Sequence, residues 1–182
     1  MKATIVAFDD FTDIDLFLAW DLLKRVPTLE TKIVAATPSI VSSTGMRIEV
    51  HGGLDEVAGA DGVYVTSGKG TRKLAEDAAW LRALGLDPRR QVIAAVDSGT
   101  LVLAALGLLT GKRATTYPSP DLHARLAELG VQHVDEALVV EDRIATAAQC
   151  LAGVDLVRWF VTQLVGGDAA EAACASVQRL PL

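Results

Sequence analysis

The stretch AAVDSGTLVLAALGLLTGKRATTYP, Ala94 to Pro118, decides how this chain reads. It opens as an apolar run of strand length, turns sharply at Asp97-Ser98-Gly99, and continues as an apolar helix. A strand-to-helix elbow holds one side chain outward, and the N–H groups that open the following helix point at any anion nearby. Such a position suits a nucleophile or an oxyanion, yet here it carries the carboxylate of Asp97. Asp is also a favoured N-cap, so capping and chemistry are compatible readings of this residue.

The elbow belongs to a wider rhythm. Apolar runs of strand length occur at Thr4–Phe8, Lys32–Ala36, Gly62–Val65, Gln91–Val96, Ala137–Val140 and Arg143–Ala145. Helical patterns fall between most of them, at Leu16–Val26, Arg72–Leu84, Thr100–Leu109, Pro120–Leu129 and Leu151–Val165. That alternation predicts a doubly wound α/β domain, with a mostly parallel sheet covered by helices on both faces. At 182 residues the chain has the length of one domain, 1–182. Only Ser39–Val57 breaks the rhythm, reading as a hairpin or excursion between Gly and Ser turns. The alanine-rich tail from Gly166 to Leu182 is weakly helical and either docks on a neighbour or frays.

Composition excludes several classes. Half the residues are apolar (51%) and 22% are charged, which is a globular and not a disordered balance. The net charge of −6 comes without a Lys/Arg cluster and argues against nucleic acid as a partner. Cys150 and Cys174 are too few for a disulfide framework and have no metal-binding company, so reduced thiols and no metal are expected. The N-terminal MKATIVAFDDF is too short an apolar run for a signal peptide or a membrane span, which leaves the cytoplasm as the expected location.

In an open parallel sheet, ligands collect beyond the carboxyl ends of the strands, where strand order reverses. Three polar loops fall there: Asp9–Asp15, Thr66–Arg72 and Asp97–Thr100. The Gly-rich turn Thr66-Ser67-Gly68-Lys69-Gly70 can offer backbone N–H donors to a developing negative charge, and it lacks the G-K-[ST] ending of a phosphate loop. Of the four acids in Asp9–Asp15, Asp15 stands out because it lies between Ile14 and Leu16 at the mouth of a helix, where its carboxyl is expected to be partly buried near the strand ends. The spacing does not match an EF-hand. His51, His123 and His133 lie far in sequence from the elbow and read as surface or packing residues, which leaves Ser98 without a base and so a poor nucleophile.

Four stretches together resemble the ThiJ/PfpI superfamily, in the branch that contains isonitrile hydratases and the amidase-like domains of some AraC-type regulators. They are IVAFDDFTDIDL, VYVTSGKGTRKLAED, VIAAVDSGTLVLAALGLLTGKRATTYP and IATAAQCLAGVDLVRWFV, and they span nearly the whole chain. The resemblance implies a flavodoxin-like fold of the class I glutamine amidotransferase type, a small-molecule substrate, no cofactor, and a homodimer with sites near the two-fold. It places the family's cysteine nucleophile at Asp97 and its acidic partner, hydrogen-bonded to that nucleophile, at Asp15. Its oxyanion-stabilising backbone falls on Gly68, Gly70 and Ser98, with Thr66 and Tyr117 at the substrate. Cys150 lies in a turn that approaches the site or the dimer contact.

Three accounts of Asp97 follow: a substituted thiol enzyme whose aspartate imitates an oxidised cysteine, a member that has lost thiol chemistry and binds a ligand or partner, or an enzyme that uses the carboxylate as nucleophile or base. The resemblance favours isonitrile hydratase-like chemistry, with a non-catalytic sensing module or an amidase, peptidase or glyoxalase-type activity as alternatives. The lack of a helix-turn-helix pattern after Val165 argues against an intact transcription regulator. If Asp15 and Asp97 meet, they are expected to share a proton, with the charge left on Asp97.

Overall fold

A computed structural model describes residues 1–177. Its main sheet has seven strands in the order β10-β11-β7-β6-β1-β2-β5. These are β1 (Lys2–Val6), β2 (Glu30–Ala35), β5 (Gly52–Gly53), β6 (Gly62–Val65), β7 (Val92–Val96), β10 (Leu138–Glu141) and β11 (Ile144–Ala147). All neighbours pair in parallel except β10 with β11. The remaining short strands form two separate pairs: β3 (Ser39–Val41) with β4 (Arg47–Glu49), and β8 (Arg113–Ala114) with β9 (Gln132–His133).

Strands buried on both faces need apolar side chains at every position, and the period of two then divides them between two cores. In β7, Val92, Ala94 and Val96 face one core while Ile93 and Ala95 face the other. The first core is closed by α1 (Asp13–Lys24), α6 (Gly153–Leu164) and α7 (Gly167–Cys174). The second is closed by α3 (Ala78–Ala83), α4 (Thr100–Ala105) and α5 (Pro120–Glu128), with the short α2 (Thr71–Leu74) leading into it. The expected doubly wound, flavodoxin-like layering is therefore present, and its strand order reverses beside β1 and β6. Among the described residues no helix is long and apolar enough to cross a membrane.

Some boundaries differ from the sequence reading. The segment expected as one helix over Arg72–Leu84 is two, because the Asp77 carboxylate accepts hydrogen bonds from Ala79 N and Trp80 N, both at 3.0 Å, and starts α3 afresh. The helix expected to reach Leu109 stops at Ala105, and Gly107 follows with φ of +73°. The Ser39–Val57 excursion contains the hairpin of β3 and β4, then returns to the sheet edge as β5. The tail docks within the chain: α7 packs on α6 and buries Ala170, Ala173 and Cys174. The part of that expectation covering 178–182 lies outside the described residues.

Close approach of α6 to β6 depends on Gly62. A Cβ at this position would come within 2.5 Å of Phe160 Cζ and 2.6 Å of Leu164 Cδ1. Gly62→Ala should therefore push α6 away from the sheet and cost about 1 to 3 kcal/mol of stability, as overpacked cores do. Denaturant unfolding of the two proteins measures it, and a variant as stable as the parent would show that α6 yields freely.

Candidate functional site

Val96 leaves β7 in extended conformation with φ of −104°, and Asp97 then turns the chain with φ of +54°. This left-handed region is costly for most residues, and Asp tolerates it better than nearly any other with a side chain. The turn is pressed against the end of β6, where a Cβ on Gly99 would lie 2.6 Å from the Thr66 carbonyl oxygen. Thr116 Oγ1 donates to the Asp97 carbonyl oxygen at 2.8 Å and ties the elbow to the segment after β8. Asp97 is left with 9% of its surface exposed.

The loops after β1 and β6 are zipped together. Thr12 N donates to the Ser67 carbonyl at 2.9 Å, Phe11 and Gly68 form an antiparallel bridge, and Gly68 has φ of +149°. A Cβ on Gly68 would strike Asp10 O at 2.1 Å, and one on Gly70 would strike Asp9 O at 2.3 Å, so both glycines are required by contact. The zipper sets Ser67 above the first turn of α1, where its hydroxyl donates to Asp15 Oδ2. Asp15 is 1% exposed.

From the opposite side, the turn between β11 and α6 delivers Cys150. Asp15, Asp97 and Cys150 each present an atom within 4.8 Å of the others. The two acids are thus brought together as expected, although no direct hydrogen bond links their carboxyls among the described residues. This trio is also the donor set that a divalent cation would use, and the protonated thiol would have to ionise to join it. Cys150 and Thr116 belong as well to the wall of a cavity of about 630 Å³, together with Tyr117, Gln149 and Leu151.

Electrostatics follow from burial. Loss of water raises the Asp15 pKa, against hydrogen bonds from Ser67 and Cys150 that favour its anion. Asp97 is pushed up to about 6, mainly by burial, with the Ser98 N–H opposing, the Asp15 charge reinforcing, and Arg72 opposing weakly. Cys150 is pushed up to about 12, by burial first and then by the two carboxylates. A thiol so shifted is neutral at physiological pH.

The expected anion-binding backbone is differently employed. Ser98 N–H donates to Asp97 Oδ1, and Gly68 N–H donates to Ser98 Oγ at 3.1 Å while that hydroxyl donates back to Gly68 O at 3.2 Å. Two of the donors assigned to an oxyanion are therefore engaged inside the protein, one of them with the elbow's own carboxylate. Thr66 is buried behind the elbow with Oγ1 unpartnered, and Tyr117 stands at the cavity, 47% exposed. The sequence reading missed Ser67 as the partner of Asp15, though it stands in the glycine-rich turn singled out. His51 stacks on Trp20 and His123 on His133, in packing roles. Both cysteines are free.

Residues 1–163 match the DJ-1/PfpI family along their whole length. The chain belongs to the DJ-1/PfpI family. Within it, the isonitrile hydratase of Pseudomonas putida is 28% identical across 100% of this chain and 79% of that protein. A ThiJ/PfpI family protein from Pseudomonas syringae superposes with a TM-score of 0.86 at 25% identity, over 100% of this chain and 76% of that one. Schizosaccharomyces pombe DJ-1 has a TM-score of 0.85 at 17% identity, over 99% of this chain and 100% of that one, and shows the shared fold.

The raised pKa of Asp97 in this DJ-1/PfpI chain makes stability depend on pH in a set direction. Its ordinary value is 3.8 and its folded value about 6, so between the two the folded chain holds more proton than the unfolded one. The stability contributed is fully present below about 4 and is lost as pH rises to about 6, a change of as much as about 3 kcal/mol. Asp97→Asn keeps the acceptor for Ser98 N–H and tolerates the left-handed backbone, but cannot titrate. Relative to the parent it should gain stability between acid and neutral pH. A difference that stays constant over that range in denaturant unfolding would contradict the buried-acid assignment.

Proposed function

We propose that this chain hydrates a small isonitrile-type molecule to the corresponding N-formamide, with Asp97 at the strand-to-helix elbow acting as acid and then base. The observation that supports this is an elbow carboxyl held near neutral titration by burial beside Asp15. A group with a pKa close to the working pH is suited both to give and to take a proton. The named activity of the Pseudomonas putida relative supplies the substrate class.

The terminal carbon of an isonitrile R–N≡C is basic, and protonated Asp97 donates its proton there. Water then attacks the same carbon of the resulting nitrilium while the Asp97 carboxylate accepts a proton from it. The imidic acid R–N=CH–OH that forms tautomerises to R–NH–CHO, one water has been added, and Asp97 is again protonated. Asp15 is a positioning residue: its negative charge, when present, raises the Asp97 pKa, and Ser67 fixes its orientation. Substrate approaches from the cavity that shares Cys150 with the cluster. A second reading, a ligand-sensing module without turnover, draws on the two engaged N–H groups, which leave fewer free donors for an oxyanion.

Hydration of cyclohexyl isonitrile followed by the loss of its infrared band tests the proposal. The rate should fall as pH rises through about 6, drop by about 100-fold or more in Asp97→Asn, and persist in the presence of EDTA. In Asp15→Asn the pH profile should move toward acid, because a source of negative potential is gone. A parent chain with no hydration at any pH, or an Asp97→Asn variant as fast as the parent, would remove the reaction and leave the sensing module.

A further inference from the structure

We infer that the stacked imidazoles of His123 and His133 form a pH-sensitive latch on one wall of the cavity beside Cys150, fastened while both rings are neutral and released when they take up protons. The inference stands apart from the proposed hydration, because it concerns access to the site and not the reaction within it.

His123 lies in α5 and His133 ends β9, and their ring centroids are 3.8 Å apart with planes 25° from parallel. Each ring anchors a strip of the cavity wall. Tyr117 and Pro118 come just before α5, where His123 N donates to Ser119 O at 3.0 Å and Ser119 N donates to Tyr117 O at 2.7 Å. Asp135, Glu136 and Ala137 follow His133 closely and line the same cavity. The strand between them is short, β9 pairing with β8 at Gln132 with Arg113 and at His133 with Ala114, so the stack is a large share of what holds the two strips together. The first strip continues through Thr116 to the Asp97 carbonyl, which joins the latch to the elbow.

Protons work against this contact in two ways. A proton on either ring sets a cation against its neighbour, and a second proton sets two like charges face to face at 3.8 Å. In addition, Nε2 of His123 is buried and has no hydrogen-bond partner among the described residues. An imidazolium donates from both nitrogens, so a charged His123 ring reaches an acceptor, water, only by turning out of the stack.

The His133 pKa is lowered from its ordinary 6.5, by burial first and then by His123, against the attraction of Asp135. The unstacked form therefore binds protons more readily, and the stability of the closed latch, full above about 6.5, is lost as pH falls below that value. The other charges of the packed elements are engaged with one another: Arg113 with Glu136, Lys112 with Asp142, and Asp121 with Arg72 and with Arg125, which also holds Glu76. Glu128 is exposed at the far end of α5, and α4 (TLVLAA) carries no titratable side chain.

Backbone hydrogen exchange of the whole chain at about pH 5 and about pH 7.5, which bracket histidine titration, reads the latch once corrected for the intrinsic pH dependence of exchange. The amides of Ser119, His123, Gln132 and Val134 should open roughly tenfold more often at the acid pH, as a pKa difference of about one unit allows. Those of β7 should not, since Asp97 makes the fold as a whole more stable toward acid. His133→Tyr keeps a flat ring that cannot become a cation, and should cut the acid effect to within about twofold. His123→Phe does the same from α5. In the parent, the His133 ring should titrate below about 6.5 by NMR. Exchange insensitive to acid, acceleration shared equally by β7, an acid effect undiminished in both variants, or a His133 midpoint at or above about 6.5 would each overturn the latch. No arm measures turnover, so a chain that fails to hydrate isonitriles can keep its latch, and one without a latch can keep the reaction.

Discussion

The chain must change from strand to helix over the three residues Asp97–Gly99, and the site depends on that constraint. A parallel strand ending at Val96 and a helix beginning at Thr100 leave no room for a gradual turn, since Gly99 already touches the end of β6. The left-handed backbone at 97 places the side chain at the sheet's carboxyl edge, where the other strand ends converge. Asp meets this backbone demand better than most residues, and its carboxylate satisfies the N–H of Ser98. The same geometry that would hold up a thiol thus holds an acid with its first acceptor filled.

What gives that acid unusual chemistry is its company. The zipper between the loops after β1 and β6 closes over Asp15, whose carboxylate is met by the Ser67 hydroxyl and by the nearby Cys150 thiol. A fully ionised carboxylate in that setting is costly, so the proton affinity of Asp15 rises, and any negative charge it does carry is felt at Asp97. Cys150 completes the enclosure as a neutral wall, because the thiol cannot ionise easily between two acids. The cluster is therefore a proton-holding site more than a thiolate site.

Much of this was legible in the sequence, for identifiable reasons. Apolar runs such as VIAAV and the helical patterns between them forced the layered sheet, and the glycines of TSGKG marked a tight loop at a strand end. The positions of Asp15 and Asp97, on the segments that follow β1 and β7, placed them in one cleft. The break at Asp77 was not legible, because an acid within an amphipathic pattern reads equally as exposed helix until its capping bonds are seen. The engagement of Ser98 with Gly68 was hidden as well: it joins residues thirty apart in sequence, and it depends on how closely the elbow and the loop approach. The Ser67 bond to Asp15 spans a still longer separation and was hidden for the same reason.

The account turns on the Asp97 carboxyl itself, and carbon-detected NMR of aspartate side-chain carboxyls across pH observes it directly, with Asp97→Asn providing the assignment. An Asp97 signal with its midpoint near 6, moving toward acid in Asp15→Asn, is the result the structure requires. A midpoint at the ordinary carboxylate value of about 3.9, unmoved by the change at Asp15, would contradict it.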